Sequence, residues 1–239
     1  MITYQTIGRE ALQQNRGTQF KVTPGQYQVI CWANIGANTT ILQETRSGNV
    51  TDWSVESLEY TTGDPLYYGP EEFAGLDEYE HSSFITITED AETDYTVHFI
   101  QAHRHIRIYV EGTTDVQDNQ NLAPKAQVNY VPKGYDFLLG IQDELITYEG
   151  NTEWLKLNGR DVAYLPFYLP LYNNADFIEI SLIRNSSESE IIRFSLGEYL
   201  QNNPPVDEND IEIYIRFMST GVQIFMPDWN VLGNLTPEW

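Results

Sequence analysis

Apolar and polar residues alternate with a period of two along much of the chain, as in strands that bury one face. Residues 211–217 show the pattern most clearly, with an isoleucine or phenylalanine at every odd position. A second apolar run at 222–226 follows across a Ser-Thr-Gly segment, which predicts a β-hairpin. Residues 177–183 and 190–196 form a similar pair of runs.

The alternation changes phase once in the middle of the chain. Apolar residues occupy the odd positions of 95–99 but the even positions of 106–110. A change of phase between residues 100 and 105 predicts a bulge or bend within one long strand.

Helical periodicity is scarce. We predict further strands at 20–22, 26–33, 84–88 and 126–131. One short helix is predicted over 195–201, and an Asn-Asn-Pro-Pro run ends it. Many short strands separated by turns indicate an all-β sandwich or barrel rather than alternating β and α units.

A shift in composition suggests where the chain divides. Its 239 residues allow one large domain or two small ones. Residues 34–83 are rich in Gly, Asp, Glu and Thr and show no long strand, and residues 89–94 are acidic and turn-prone. We therefore predict two domains, 1–92 and 93–239.

The charge is strongly negative, with 13 Lys and Arg against 35 Asp and Glu and a net charge of −22. This argues against nucleic-acid binding, which requires clustered Lys and Arg. An apolar fraction of 41% argues against disorder, and no run approaches the roughly 20 apolar residues of a membrane helix. The single cysteine, Cys31, excludes an internal disulfide and a cysteine-rich zinc site.

The first ten residues, MITYQTIGRE, lack the basic and apolar regions of a signal peptide. Two interpretations stay open at this point. The protein is either cytoplasmic or a mature fragment whose export segment has been removed.

The histidines at 98, 103 and 105 are the one cluster of potential metal ligands. His103 and His105 would share a strand face, but His98 has the opposite parity and Arg104 and Arg107 would repel a cation. We therefore predict solvated strand histidines and no metal site.

No catalytic site is predicted. Acidic runs at 71–72, 77–80 and 207–210 could supply a carboxylate pair, and the run at 207–210 could also bind calcium. A chain with 35 acidic residues yields such runs by chance, so solvated turns are the default. The motifs of a nucleophile elbow, a phosphate loop and a dinucleotide site are absent from the sequence. We expect no enzyme activity and no cofactor.

Aromatic residues are the remaining candidates for ligand contact. Exposed tyrosine and tryptophan rings stack on sugars or anchor protein interfaces. The alternative is that these rings seal a small sandwich core. The candidates for glycan or partner contacts are Trp53, Tyr67, Tyr68 and Tyr79.

Four blocks of sequence resemble one known family. Residues 24–34 (PGQYQVICWAN) resemble a motif of the FimB-type fimbrial anchor and accessory subunits of Bacteroidetes, which show a Pro-Gly-x-Tyr turn and a strand ending in Trp-Ala-Asn. Three further blocks agree in order and spacing: 102–110 (AHRHIRIYV), 131–135 (VPKGY), and the tail 222–229 with 236–239. The resemblance covers about residues 20–239.

This resemblance implies two transthyretin-like antiparallel β-sandwich domains with little helix. It also implies a lipoprotein of the outer membrane in a fimbria. Members of the family begin with a signal peptide, a lipidated cysteine and a first strand, none of which we identify in this sequence. We therefore expect an incomplete first sandwich, and membrane attachment only through a lipid anchor that this chain lacks.

The function implied is that of a non-enzymatic fimbrial subunit, whose partners are other fimbrial subunits and which assembles by strand exchange. A sandwich missing one strand would expose an edge or groove, here near Val22, Tyr27 and Val29. The alternative is a cell-surface polysaccharide-binding module, because family members have also been described in that way.

Overall fold

The computed structural model describes residues 5–8, 10, 18–43, 52–69, 85–89, 92, 94–112, 124–157, 159–184, 189–218 and 220–227. Strands dominate this part of the chain, and the predicted all-β class is confirmed. The strands are β1 (Gly25–Tyr27), β2 (Cys31–Ala33), β3 (Thr39–Gln43), β4 (Trp53–Ser57), β5 (Tyr67–Gly69), β6 (Ile85–Ile87), β7 (Ile100–Gln101), β8 (Arg104–Glu111), β9 (Pro124–Pro132), β10 (Gly134–Asp136), β11 (Leu145–Asn151), β12 (Glu153–Leu157), β13 (Arg160–Leu169), β14 (Glu179–Arg184), β15 (Ser189–Ser195), β16 (Asp210–Met218) and β17 (Gly221–Phe225).

Two facing sheets form the larger unit, which we name the C-terminal unit. One sheet has the order β11-β9-β14-β15 and the other the order β12-β13-β8-β16-β17. All pairs are antiparallel except β8 with β16, which is parallel. The inward-facing side chains are apolar, as alternation requires. The core includes Ile106, Ile108, Val128, Tyr148, Leu165, Phe167, Ile180, Leu182, Ile211, Ile213 and Ile215.

The predicted hairpins are confirmed as β16–β17 and β14–β15. The expectation that only one face of residues 211–217 is buried was wrong at Tyr214, which is 3% exposed. Its ring lies between those of Tyr109, with centroids 6.2 Å apart, and Phe225, at 5.2 Å. Neighbouring strands therefore build an aromatic row on the second face, which the pattern of a single strand cannot reveal.

The helix α1 (Leu196–Asn202) agrees with the short helix predicted from sequence. Ser195 is its N-cap, and its hydroxyl accepts a hydrogen bond from the backbone N–H of Glu198. Such caps satisfy donors that the first turn leaves free. Leu196 and Tyr199 turn inward and extend the core of the C-terminal unit.

Smaller sheets form the N-terminal unit, with the orders β1-β6, β2-β5-β7 and β10-β4-β3. Its apolar cluster includes Val55, Tyr68 and Tyr135, each 0% exposed. β10 lies between β9 and β11 in the chain but pairs with β4. The domain boundary near residue 92 stays a prediction, and residues from both sides of it meet in this cluster.

Tyr135 ties three segments together. Its hydroxyl donates a hydrogen bond to the carbonyl of Ala102 at 2.8 Å and accepts one from the backbone N–H of Leu171. Its ring packs 5.4 Å from that of Trp32. Gly134, which precedes it, lies so close to β4 that a Cβ would fall 2.0 Å from the carbonyl oxygen of Val55. A larger residue at position 134 would therefore separate β10 from β4.

Several strands predicted in the first hundred residues were wrong. Residues 20–22 and 95–99 form no strand, and the predicted strand at 26–33 is split into β1 and β2 of different sheets. The phase change at 100–105 is not a bulge in one strand. It marks the point where the chain leaves β7 in one sheet and enters β8 in another.

The prediction of solvated histidines was also wrong at His103, which is 4% exposed. Its Nδ1–H donates to the carbonyl of Leu66 at 2.9 Å, and its ring meets those of Tyr67 and Tyr168 edge-on, each at 5.5 Å. His105 stacks on Tyr168 at 4.6 Å. His103 thus helps to join the two units, His105 packs within the C-terminal unit, and His98 is exposed.

We predict a loss of stability in mild acid that His105 accounts for in part. Burial, together with the positive charge of Arg107, lowers the pKa of its imidazole to about 4, against the opposing effect of Asp210. A histidine in an unfolded chain has a pKa of about 6.5. The stability that the neutral ring provides is therefore complete above about pH 6.5 and is lost as the pH falls towards about 4.

Between about pH 7.5 and about pH 5, this group should lower the free energy of unfolding by about 2 kcal/mol. Urea unfolding at the two pH values measures the loss. His105→Gln should show a smaller decrease than the wild type, and His98→Gln, at the exposed histidine, the same decrease as the wild type. An undiminished loss in His105→Gln would contradict the prediction.

Tyr135→Phe should cost about 1–3 kcal/mol of stability, because it leaves the buried Ala102 carbonyl and the Leu171 N–H without their partner. Thermal or urea unfolding measures the change. Tyr130→Phe removes the hydroxyl of a residue that is 54% exposed and should be nearly neutral. Equal stability of the two variants would show that the Tyr135 hydroxyl does not stabilise the fold.

Candidate functional site

β3 is an edge strand whose free side carries no charge. In the part of the chain that the structure describes, β3 pairs only with β4. Its sequence is Thr-Thr-Ile-Leu-Gln. Charged side chains on an edge oppose pairing with another chain, so their absence leaves β3 open to it.

The other long edges differ. Charged residues stand on three of them: Glu149 on β11, Glu153 and Lys156 on β12, and Glu190 and Arg193 on β15. Among edge strands of five or more described residues, β3 and β17 alone are uncharged. On β17, Ile224 and Phe225 are half-buried and pack against apolar clusters. On β3, residues 41–43 are all exposed.

Ile41 gives this edge an inward-facing apolar side chain that the described residues leave uncovered. Ile41 lies opposite Val55, and Val55 lies opposite Tyr135, so the three share one face of the sheet. Val55 and Tyr135 are 0% exposed, whereas Ile41 is 42% exposed. Leu42, on the other face, is 46% exposed. The core of the N-terminal unit therefore ends at β3 in an open apolar position.

One strand further in, Glu56 fixes a negative charge beside this edge. Burial would raise the pKa of its carboxyl, but hydrogen bonds from Ser54, Gln142 and Lys133 outweigh it and lower the pKa. Glu56 lies opposite Thr40 and so shares a face with Leu42 rather than with Ile41. The two faces of β3 are thus chemically distinct, one apolar and one bordered by an anion.

The sequence predicted a groove near Val22, Tyr27 and Val29, and none of these residues belongs to the sheet that contains β3. Val22 is 37% exposed and lies outside any strand. Tyr27 belongs to β1, and its hydroxyl donates to the carbonyl of Thr23 at 2.6 Å. β1 pairs only with β6 among the described strands, so this ribbon also has an open side.

Two of the four aromatic candidates lie in the core. Trp53 is 6% exposed and packs edge-on against Phe137 at 5.3 Å, and Tyr68, 0% exposed, packs against Trp32. Tyr67 is half-buried against His103, and Tyr79 lies outside the described residues. The core-sealing interpretation therefore holds for Trp53 and Tyr68, which present no ring at the surface.

Sequence reasoning missed Ile41 and Leu42, because it assigned residues 34–83 to loops. The signal for β3 was present but short. The run Thr39-Thr40-Ile41 is β-branched throughout, and such runs favour strands. Only the pairing with β4 shows that this strand lies at an edge.

The remaining candidates give no metal or membrane site in the described residues. No group of three His, Cys, Asp or Glu side chains there is placed to hold a metal ion. Asp207 accepts a hydrogen bond from the backbone of Asn209 in a turn, and Asp210 pairs with Arg107 at 2.7 Å. The runs at 71–72 and 77–80 lie outside the described residues. The same part of the chain contains no helix with the length and apolar character needed to span a bilayer.

Cys31 lies on β2 and is half-buried. Burial raises the pKa of its thiol, so the side chain stays protonated and weakly reactive at neutral pH.

Several solved structures are similar to this chain. A candidate adhesin of Bacteroides thetaiotaomicron is 14% identical and has a TM-score of 0.58, with 91% of this chain and 81% of that chain covered. The fimbrial anchor protein Mfa2 of Porphyromonas gingivalis is 13% identical with a TM-score of 0.51, covering 85% and 74%. A candidate polysaccharide-binding protein of B. thetaiotaomicron is 13% identical with a TM-score of 0.53, covering 88% and 80%. These similarities establish a shared fold.

No curated protein sequence matches the chain significantly. The family model of the fimbrillin-A associated anchor proteins Mfa1 and Mfa2 matches residues 2–234. That match covers nearly the whole sequence and agrees with the resemblance seen in its motifs. The chain therefore belongs to the family of fimbrillin-A associated anchor proteins.

Proposed function

We propose that this protein is a non-enzymatic structural subunit of a bacterial cell-surface fimbria, which docks with other subunits by accepting an extended segment along β3. Membership of a fimbrial anchor family supports the fimbrial role and the location at the cell surface. The observation that carries the docking mode is the uncharged β3 edge, where Ile41 faces the core side yet is 42% exposed.

An incoming strand would complete this edge in two ways. Its backbone would pair with the N–H and C=O groups on the side of β3 that no described strand occupies, and its inward-facing side chains would cover Ile41 beside Val55. Covering an apolar side chain contributes about 25 cal/mol for each Å² removed from water. Backbone pairing supplies affinity, and the alternation of side chains sets the register of the added strand.

The absence of catalysis is part of the same proposal. The titratable side chains that cluster in the described residues are engaged with each other. Glu111 binds Arg160 and Arg216, and Asp210 binds Arg107. No nucleophile, base and orienting group can be assembled from them.

Binding of polysaccharide is the alternative, because one structural relative is named for it. The burial of Trp53 and Tyr68 removes two of the rings on which a glycan would stack. The strand-docking proposal therefore has the stronger structural support, and glycan binding becomes an outcome of its test.

We expect Ile41→Lys to weaken the binding of an extended peptide from another fimbrial subunit by tenfold or more, about 1.4 kcal/mol. A lysine ammonium enclosed beneath the added strand loses its hydration without a partner. Leu42→Lys is the matched control, since the two residues adjoin on one strand, are similarly exposed and face opposite sides. Isothermal titration calorimetry with synthetic peptides measures the affinity, and thermal unfolding checks that both variants fold.

Equal affinities of the two variants would argue against docking on the Ile41 face. A glycan array should be probed in parallel. Saturable glycan binding that Tyr67→Ala abolishes, with no peptide bound by the wild type, would favour the polysaccharide-binding module instead.

A further inference from the structure

Two exposed tyrosines adopt a backbone conformation that tyrosine avoids. Tyr60 has a φ of 58° and Tyr130 a φ of 62°, in the left-handed region that costs a bulky side chain roughly 1–2 kcal/mol. Tyr60 is 62% exposed and Tyr130 is 54% exposed. Burial of these rings therefore does not offset the strain.

The two tyrosines flank one residue, Thr147 of β11. The backbone N–H of Tyr60 donates to the Thr147 carbonyl at 2.9 Å. On the other side, the register of β9 with β11 shifts between Ile146 and Tyr148, which places Asn129 and Tyr130 opposite Thr147. The Thr147 hydroxyl donates to Asn129 Oδ1 at 2.9 Å. Tyr60 from the N-terminal unit and Tyr130 from the C-terminal unit thus stand about two strand spacings apart, roughly 10 Å.

Two further exposed apolar residues lie near them by the register of the strands. Leu145, two residues before Thr147 on the same face of β11, is 51% exposed. Phe177 lies just ahead of β14, whose first residue, Glu179, pairs with Asn129, and it is 72% exposed. We name Tyr60, Tyr130, Leu145 and Phe177 the tyrosine patch. Exposed apolar residues that gather in this way mark interaction sites.

The patch presents side chains to a partner, whereas its backbone groups are already hydrogen-bonded within the protein. The N–H of Tyr60 bonds to Thr147, and the N–H of Glu149 donates to the Thr61 carbonyl at 3.0 Å, so residues 60–61 occupy the edge of β11. An added strand has no place there. A partner must meet the patch with its own folded surface.

The polar groups beside the patch are also engaged. Thr147 bonds to Asn129, and Glu179 bonds to Arg193 at 3.2 Å. A sugar would need such groups free to recognise its hydroxyls, whereas aromatic and aliphatic side chains form the centre of protein interfaces. The chemistry of the patch therefore favours a protein over a glycan.

The rim of the patch is acidic. Exposed carboxylates adjoin it in sequence at Glu59, Asp143 and Glu144. The two cations nearby are each held by two carboxylates, Lys133 by Glu56 and Glu144, and Arg193 by Glu179 and Glu190. With a net charge of −22, two copies of this chain would repel each other across such a rim. A partner with lysine and arginine around an apolar centre would be attracted.

We propose that the tyrosine patch is a second docking surface, which takes the folded surface of another fimbrial subunit with an apolar centre and a rim of lysine and arginine. It rests on the proposed function for the class of partner, and it differs from β3 in taking a folded surface instead of an extended segment. Because Tyr60 and Tyr130 come from different units, the partner would contact both units at once.

The test uses the full chain and the purified, folded shaft subunit of the same fimbria, with affinity and association rate measured by biolayer interferometry. The double variant Tyr130→Ala and Phe177→Ser should lower the affinity at least tenfold without changing the thermal unfolding midpoint by more than a few degrees. Val206→Ser, at a fully exposed valine outside the patch, is the matched control and should bind like the wild type. Asp143→Lys should slow association, as should raising the salt from about 50 to about 300 mM.

Each other outcome decides a different point. Wild-type affinity in the double variant, while the β3 peptide still binds, overturns the patch and leaves the proposed function standing. Failure of the wild type to bind either probe overturns the proposed function and the patch together. Glycan binding that Tyr130→Ala abolishes, or a dimer in sedimentation that Phe177→Ser dissociates, overturns the assignment of the partner.

Discussion

The buried hydroxyl of Tyr135 is the interaction on which the arrangement of the two units depends. It bonds to Ala102 at the entrance to β8 and to Leu171 after β13, while its backbone pairs with β4. The chain thus leaves the C-terminal unit after β9, contributes one strand to the N-terminal unit and returns as β11. Because a buried polar group is costly to leave unpaired, the hydrogen bonds of this tyrosine hold β10 in place between the two units.

Three of the four sequence blocks that carry the family resemblance meet at this tyrosine. Trp32 packs against the Tyr135 ring and donates its indole N–H to the Phe137 carbonyl at 3.2 Å. The carbonyl of Ala102 accepts a hydrogen bond from the Tyr135 hydroxyl, and Gly134 allows β10 to approach β4 closely. Residues far apart in sequence thus form one contact between the two units. The β4 strand held there in turn positions β3, so the candidate docking edge depends on the same contacts.

The two proposed docking surfaces would offer different parts of the protein to a partner. At β3 one side of the strand has no partner among the described strands, and one inward-facing side chain, Ile41, is exposed. At the tyrosine patch the edge of β11 is closed by residues 60–61, and only side chains are presented. The sequence did not predict the β3 surface. Its predictions of a groove near Val22 and of ligand contacts at Trp53 and Tyr68 were based on composition and residue type. Neither property reports which strand lies at an edge or which aromatic ring faces the core.

Sequence alone determined the all-β class, the hairpins of the C-terminal unit and the capped helix α1. Period-two alternation is visible within a single strand, because each strand of the C-terminal unit packs on one continuous core. The N-cap likewise involves only residues of the first helical turn. Tertiary structure decided the burial of His103 and Tyr214, the placement of β10 beside β4, and the position of β3 at an edge. Each of these depends on neighbours distant in the chain, and strand pairing is chosen by contacts that no window of sequence contains.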